Sequence, residues 1–346
     1  MVHVGSHRSS LSWESSDRSS CWSAKKSLVW RTFSIALYVS LGCLAMDQHL
    51  RKLSQKYDTS APPESVSRWG PNDRCWEEEF LDRVAPEEEA GFVCKCPNPT
   101  IAIERNTSMT KFWRKLHRQL VDEANTDQNV DVVFIGDSIT ERFRGTWLYG
   151  RKPVKDTGTT FQHYFNRTMG GNYTALALGS TGDIAVETLY HLQNGMLPKS
   201  LNPRAFVLMI GTNDLDRKRG GGCSKRNALK AILNVAHFIS DKKPGIPLII
   251  HGILPRDGPG GSPGSMGVYW EKIRWINRHL KEACQAHQNW HYFAYSNLLM
   301  DGSKLHRSLM QDGVHPNSRG YEMWAPRIVK NIDRVLKRES RKANRN

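Results

Sequence analysis

From residue 130 onward, short apolar runs alternate with longer stretches in which apolar residues recur every three or four positions. The apolar runs predict five strands, at residues 130–135, 174–179, 205–210, 247–254 and 291–295. The periodic stretches predict helices, at residues 183–194, 225–240, 268–287 and 319–338. Strands and helices that alternate through short connections are typical of a parallel sheet with helices on both faces, so the pattern predicts an α/β fold.

One further helix is predicted upstream of the first strand, over residues 109–124. Its apolar positions fall at helical spacing and are Phe112, Trp113, Leu116, Leu120 and Val121. They form one apolar face, so we expect an amphipathic helix that packs on the sheet.

The region before that helix has a different organisation. Residues 1–27 are rich in Ser with scattered basic residues, which predicts a disordered basic terminus. Residues 28–46 are mostly apolar and carry no charge except Arg31, which predicts a signal-anchor that crosses a membrane once, with its basic end in the cytosol. Cleavage as a signal peptide, giving a secreted protein, and a soluble cytosolic protein are the alternatives. Residues 47–127 are predicted to be a polar stem and lead-in.

Three Asn-X-Ser/Thr sequons follow the apolar segment, at Asn106, Asn166 and Asn172. Such sequons accept N-linked glycans in the secretory pathway, so we expect the part of the chain after the apolar segment to be glycosylated and to lie in the lumen or outside the cell.

Five cysteines also follow the apolar segment, and three of them cluster at Cys75, Cys94 and Cys96. An oxidising lumen favours a disulfide from Cys75 to either Cys94 or Cys96. The Cys94-Lys95-Cys96 pair lacks a second Cys/His pair at ligand spacing, so we predict no metal site.

The net charge of +15 is concentrated at the two ends of the chain. Residues 1–60 carry +4 and residues 327–346 carry +6. A nucleic-acid reader concentrates basic residues on a recognition element inside its fold, so we predict solvated basic ends and no nucleic-acid partner. The last of these ends, residues 339–346, is predicted to be a basic tail.

Polar residues that could do chemistry follow three of the predicted strands and recur near the C-terminus. They are Gly136-Asp137-Ser138, Gly182-Asp183, Gly211-Thr212-Asn213-Asp214 and Asp312-Gly313-Val314-His315. Each block alone is equally compatible with a helix cap, a turn or an ordinary loop. The carboxyl ends of parallel strands share one edge of a sheet, which is where open α/β folds keep their sites.

Together these blocks contain the groups that acyl transfer requires. Ser138 is a nucleophile if a base takes its proton, and His315 can be that base. Asp312 can hold the imidazole in its productive tautomer. The N–H groups of Ser138 and Gly182 and the carboxamide of Asn213 are candidate donors to the oxyanion.

The four blocks resemble, in order and spacing, those of the SGNH (GDSL-type) hydrolase superfamily, and in particular the catalytic subunits of intracellular platelet-activating-factor acetylhydrolase. The resemblance covers residues 128–338, the expected catalytic domain. It implies a flavodoxin-like three-layer α/β/α sandwich with a five-stranded parallel sheet. It also implies a triad of Ser138, Asp312 and His315, an oxyanion hole of Ser138, Gly182 and Asn213, and no cofactor.

The sequence departs from that pattern in two places. Thr181 stands where the acetylhydrolase subunits have a glycine, and the loop from Glu141 to Tyr173, which borders the expected acyl pocket, is longer and carries two sequons. The family resemblance and the expected compartment together predict hydrolysis of short acyl esters, acetyl among them, on a small molecule or a glycan. The alternatives are a glycan O-acyltransferase and an inactive glycan-binding module. Nothing in the sequence identifies an oligomer interface.

Overall fold

The computed structural model describes residues 96–126, 129–216, 223–258, 267–310 and 312–344. The predicted basic Ser-rich terminus, the signal-anchor, most of the stem, Cys75 and Cys94 lie outside these ranges.

The described residues contain a parallel sheet of five strands. The strands are β1 (Val132–Gly136), β2 (Ala175–Gly179), β3 (Ala205–Met209), β4 (Leu248–His251) and β5 (Trp290–Phe293). Their order is β2-β1-β3-β4-β5, the flavodoxin-like order, which confirms the predicted fold class. Val132 of β1 is in register with Ala175 of β2 and with Ala205 of β3. The strand order reverses between β1 and β3, so a crevice is expected at their carboxyl ends.

Seven α-helices lie in the same described ranges. They are α1 (Thr110–Thr126), α2 (Ser138–Phe143), α3 (Lys155–Phe165), α4 (Ala185–His191), α5 (Lys225–Lys242), α6 (Gly267–Ala286) and α7 (Ser318–Ala343). A π-helical turn, Leu192–Met196, continues α4. Two 3₁₀ turns are Arg167–Met169 and Ser296–Leu299. None of the helices seen in the described part of the chain has both the length and the apolar character that crossing a membrane requires.

The expected loop from Glu141 to Tyr173 is in fact partly helical, since it contains the end of α2 and all of α3. The sequence did not reveal either helix. α2 has only six residues, and α3 has few large apolar residues to define a period. Short antiparallel pairs join Thr146–Trp147 to Lys152–Pro153 and Met300–Asp301 to Lys304–Leu305. At the other end of the domain, α7 continues to Ala343, beyond the predicted helix end at residue 338.

Alternate side chains of β1 enter two separate cores. Val133 and Ile135 belong to the core that includes residues of α1, α4, α5 and α6. Val132 and Phe134 belong to the core that includes residues of α3 and α7. Successive side chains of a strand point to opposite faces, so this division places helical layers on both sides of the sheet.

The segment before the sheet packs on the first of these cores. Trp113, Leu116, Leu120 and Ala124 of α1 are buried, which confirms the predicted docking of this helix. Of the two partners predicted for Cys75, Cys96 is wrong, because Cys96 forms a disulfide with Cys223 at a Cα–Cα distance of 5.6 Å. The other alternative, Cys75 with Cys94, lies outside the described residues. Cys96 and Cys223 are 127 positions apart, so clustering along the sequence did not reveal this pair.

Candidate active site

The nucleophile candidate follows β1 directly. A Cβ at Gly136 would collide with the carbonyl oxygen of Met209 in β3, so only glycine fits at this turn. Asp137 caps α2 because its Oδ1 accepts the N–H of Ile139 at 2.9 Å. Ser138, the first residue of α2, is only 3% exposed. The end of the strand and the cap together fix the serine at the carboxyl edge of the sheet.

Ser138, His315 and Asp312 are joined by hydrogen bonds. Oγ of Ser138 lies 2.8 Å from Nε2 of His315. Nδ1 of the same imidazole lies 2.8 Å from Oδ2 of Asp312. Oδ1 of Asp312 accepts the backbone N–H groups of Val314 at 3.0 Å and His315 at 2.7 Å. This geometry allows a proton to move from the serine hydroxyl to the imidazole while the carboxylate fixes the ring.

The Asp312 carboxylate is stabilised in its charged form. Partial burial alone would raise its pKa, but the hydrogen bonds and charge of His315, with the N–H of Val314, hold the pKa well below its usual range. Arg142 also contacts it, with Nη1 3.0 Å from Oδ2. The sequence analysis missed Arg142, although it lies one helical turn after Ser138 in α2. That spacing was the available signal.

The proposed oxyanion donors follow β2 and β3 at the same edge. Gly182 adopts a left-handed conformation, with a φ of 73°. Nδ2 of Asn213 donates to the backbone oxygen of Asp183 at 2.9 Å, which joins the two loops. The backbone N–H of Ser180 donates to the carbonyl of Gly136 at 3.2 Å, which ties the end of β2 to the end of β1. The structure therefore brings all four sequence blocks to one edge of the sheet.

Two carboxyl groups behind these loops are fully enclosed. Burial raises the pKa of Asp137 to about 7 and the pKa of Asp214 to about 7. The Asp214 carboxylate accepts the N–H of Ala185, with Oδ2 3.1 Å away, and so links the β3 loop to the start of α4. The two carboxyl groups hold the backbone next to the site through their hydrogen bonds. Neither is hydrogen-bonded to Ser138 or His315 in the described structure.

Trp147 lies beside the hydrogen-bonded group of Ser138, His315 and Asp312. Its half-buried indole lies edge-on to the imidazole of His315, with ring centroids 6.0 Å apart. The Arg142 guanidinium also lies over the indole of Trp147, with its central carbon 4.8 Å from the indole centroid. Thr181 supports this segment, since its Oγ1 accepts the N–H of Leu148 at 3.1 Å and donates to Glu141 at 2.6 Å. Thr181, which replaces the glycine of the acetylhydrolase subunits, thus anchors the segment that carries Trp147.

A second group of side chains that the sequence analysis missed lies beneath the Gly182 turn. Arg105, from the segment predicted as a stem, is buried there against Asp183 and Glu187. Sequence patterns could not pair Arg105 with residues about 80 positions away.

The three predicted glycosylation asparagines lie away from the buried core. Asn106 and Asn172 are exposed, and Asn166 is half-buried. The Asn166 side chain is engaged, because Oδ1 accepts the N–H of Thr168 at 3.0 Å and Nδ2 donates to Gln162 at 2.6 Å.

The doubly wound fold with Gly-Asp-Ser at the end of β1 defines a hydrolase of the SGNH, or GDSL, type. A model of the GDSL-like Lipase/Acylhydrolase family matches residues 134–323, more than half of the chain, so the chain belongs to that family. It is accordingly a carboxylic ester hydrolase. Curated proteins give no significant match to it.

Solved structures of similar fold include two from Bacteroides. One is a candidate acylhydrolase from Bacteroides fragilis, which is 22% identical with a TM-score of 0.51 over 67% of this chain and 100% of that chain. Another is a GDSL-like lipase from Bacteroides thetaiotaomicron, which is 22% identical with a TM-score of 0.50 over 64% of this chain and 99% of that chain. At 22% identity these similarities show a shared fold and nothing about the substrate.

Proposed function

We propose that this protein is a serine esterase that cleaves short acyl esters through an acyl-enzyme. The observation that carries the proposal is the continuous hydrogen-bonded path from Ser138 through His315 to Asp312, with both links 2.8 Å long. A serine hydroxyl is a weak nucleophile until a base takes its proton, and this path supplies the base and the group that orients it.

The reaction has two steps. Ser138 Oγ attacks the ester carbonyl carbon while His315 Nε2 takes the hydroxyl proton. The tetrahedral intermediate then collapses, and His315 returns the proton to the departing alcohol. In the second step, His315 takes a proton from water, which attacks the acyl carbon. The second tetrahedral intermediate then breaks the bond to Ser138 Oγ, His315 returns the proton to that oxygen, and the acid leaves. Asp312 stays ionised throughout and stabilises the imidazolium that forms in each step.

The oxyanion of each tetrahedral intermediate is stabilised by donors from three loops. These are the backbone N–H groups of Ser138 and Gly182 and the Nδ2 group of Asn213. The donors belong to the ends of β1, β2 and β3, which a rigid sheet holds in place before substrate arrives. Preorganised donors of this kind lower the barrier without reorganising during the reaction.

Short acyl groups are the proposed substrates, with acetyl on a small molecule or a glycan as the leading case. Trp147 supports this choice because its indole occupies space directly beside His315. A bulky ring next to the catalytic base leaves less room for a long acyl chain than an open groove would.

The proposed compartment is the secretory pathway, with residues 28–46 as a signal-anchor. The Cys96–Cys223 disulfide supports an oxidising compartment, since structural disulfides are rare in the cytosol. The exposure of Asn106 and Asn172 is compatible with glycosylation. A mobility shift on treatment with a glycosidase that removes N-linked glycans would support this location. Loss of that shift in an Asn106→Gln/Asn166→Gln/Asn172→Gln triple variant is the control.

Hydrolysis of p-nitrophenyl acetate, butyrate and octanoate by the full chain tests the activity. Ser138→Ala is expected to reduce kcat by at least about 10⁴-fold and to abolish labelling by a fluorophosphonate, because the nucleophile is gone. The matched control is Ser303→Ala, an exposed serine in the Met300–Leu305 hairpin, which keeps wild-type activity. Equal turnover by wild type and Ser138→Ala would refute the proposal.

A further inference from the structure

Arg105 is fully enclosed, and every one of its N–H donors has an acceptor. Its side chain is 0% exposed. Nε and Nη2 bind the two carboxylate oxygens of Glu187 as a fork. The remaining hydrogen of Nη2 goes to Oδ1 of Asp183 at 2.8 Å. Nη1 donates to the hydroxyl of Tyr149 and to the backbone oxygen of Thr181, each at 2.8 Å. All five guanidinium hydrogens are therefore used.

Two of these acceptors lie on either side of Gly182 in the chain. The carbonyl of Thr181 belongs to the same planar peptide unit as the N–H of Gly182. In a trans peptide the C=O and the N–H point in opposite directions, and no cis peptide bond occurs among the described residues. By holding the Thr181 oxygen on one side, Arg105 fixes the direction in which the Gly182 N–H points on the other.

The left-handed backbone of Gly182 makes this constraint useful. Its φ of 73° is available to glycine at little cost, but glycine also has more alternative conformations than any other residue. A glycine that must present its N–H in one direction therefore needs its neighbours held. Arg105 holds the residues both before and after it.

Asp183 extends the same restraint to the second donor. Its carboxylate Oδ1 accepts from Arg105 and, at 2.8 Å, from Nε1 of Trp113. Its backbone oxygen accepts one hydrogen of Asn213 Nδ2 at 2.9 Å. The same nitrogen also lies 3.5 Å from Oδ2 of Asp137, and its second hydrogen is the candidate oxyanion donor. Asp183 therefore orients Asn213, and Arg105 and Trp113 together hold the carboxylate of Asp183.

We propose that Arg105 is a positioning residue of the oxyanion hole, which aligns the Gly182 N–H and, through Asp183, the Asn213 carboxamide. This role rests on the proposed function of the same site. Net stability does not by itself account for the arrangement, since desolvation offsets much of the attraction within a buried ion pair. Arg105 touches neither the substrate nor the reacting atoms; it acts through the two donors.

Arg105→Lys in the full chain tests the role. Lysine keeps the positive charge, but its three donors radiate from one nitrogen, so it cannot reproduce the planar fork that bridges Thr181 and Asp183. We expect kcat with p-nitrophenyl acetate to fall roughly 10- to 100-fold while KM stays within about twofold, because transition-state stabilisation is lost and ground-state binding is kept.

A boronic acid inhibitor separates positioning from general loosening of the fold. It forms a tetrahedral anionic adduct with the serine and therefore needs the oxyanion donors. Its affinity is expected to fall in Arg105→Lys by the same factor as kcat/KM, as for a transition-state analogue. Rates are expressed per serine titrated by the fluorophosphonate, so that a reduced folded fraction does not imitate a reduced kcat.

The matched control is Arg144→Lys. Like Arg105, Arg144 is largely buried and donates both to a carboxylate and to a backbone oxygen. These acceptors are Glu123 at 2.7 Å and the carbonyl of Ala177 at 3.3 Å. It lies outside the site, so its replacement is expected to leave kcat per active serine and boronate affinity unchanged.

The possible results divide clearly. A folded Arg105→Lys variant with wild-type kcat per active serine and wild-type boronate affinity would overturn the proposal. If that variant does not fold, Tyr149→Phe removes one Arg105 acceptor with little change of shape. It is expected to lower kcat and boronate affinity together by roughly two- to tenfold, and no change in either would overturn the role. A wild-type chain that neither hydrolyses esters nor labels at Ser138 would instead refute the proposed function itself.

Discussion

Oγ of Ser138 and Nε2 of His315 lie 2.8 Å apart although 177 positions separate the two residues. Their meeting depends on the packing of α7 against α2. Tyr321, in the first turn of α7, is completely buried and its hydroxyl donates to the carbonyl of Ile139 at 2.7 Å. This bond anchors the helix that follows the histidine to the helix that starts with the serine.

Asp312→Asn is expected to reduce kcat by about 10³–10⁴-fold without unfolding the protein. Oδ1 of Asp312 accepts two backbone N–H groups, so the carboxamide of asparagine keeps its oxygen there and turns its NH₂ toward Nδ1 of His315. Nδ1 then accepts instead of donating, Nε2 carries the proton, and Nε2 can no longer accept one from Ser138. Steady-state kinetics measures the loss. Asp301→Asn, at an exposed aspartate, is the control and retains activity. Near-wild-type turnover by Asp312→Asn would contradict the assigned tautomer.

Trp147→Ala is expected to shift selectivity toward longer acyl chains. Removing the indole beside His315 opens space next to the base, so the octanoate-to-acetate ratio of kcat/KM should rise roughly tenfold. The p-nitrophenyl ester series gives the ratio directly. Trp147→Phe, which keeps a ring at this position, is the matched control and is expected to change the ratio less. A ratio that is the same in wild type and Trp147→Ala would remove Trp147 from the acyl pocket.

Cys96→Ser is expected to lower the free energy of unfolding by about 2–4 kcal/mol. The disulfide to Cys223 closes a long loop, with 127 positions between its ends, and restricts the unfolded chain. Urea unfolding with and without a reductant measures the effect. Reductant destabilises the wild type and has a much smaller effect on Cys96→Ser. Cys284→Ala, at a buried free cysteine, is the control and keeps the response to reductant. A wild type that is indifferent to reductant would argue against the bond.

The contribution of three buried or half-buried histidines to the stability of the fold is expected to decline as the pH falls from about 6.5 to about 4. The buried carboxyls of Asp137 and Asp214, whose pKa values are raised to about 7, act in the opposite direction over the same range. Burial lowers the pKa of His251 from 6.5 to about 4, because the charged ring would lose its solvation. In the neutral ring Nε2 accepts from Nε1 of Trp324. The unfolded chain therefore takes up this proton first, and the stabilisation present above about pH 6.5 is lost on acidification. Burial also lowers the pKa values of His287 and His291 to about 4, so several histidines contribute.

His251→Gln isolates one contribution to that decline. The variant is less stable than wild type at pH 7.5, because the bond to Trp324 is weakened. The difference is expected to shrink by about 1–3 kcal/mol as the pH falls to 4, since glutamine does not titrate. Urea unfolding at half-unit pH intervals follows it. A difference that stays constant with pH would show that His251 is not buried in its neutral form.

The sequence was enough to predict the strands of the sheet, because the strands of a doubly wound fold are covered by helices on both faces. Such strands appear as short apolar runs, and each of the five predicted runs overlaps a strand of the structure and starts within two residues of it. The long helices were equally visible, since each buries one stripe and repeats its apolar residues at helical spacing. The shorter α2 and α3 were missed because a few residues do not define a period.

The sequence by itself determined the five strands, the long helices and the four blocks that carry the candidate chemistry, because these depend on local periodicity and on residue type. The tertiary structure decided which distant residues meet. Cys96 joins Cys223 instead of Cys75, Arg142 contacts Asp312, and Arg105 lies beneath Gly182. The physical reason is that a disulfide, an ion pair or a hydrogen bond acts over a few ångströms between chain segments whose proximity is fixed only when the helices pack on the sheet.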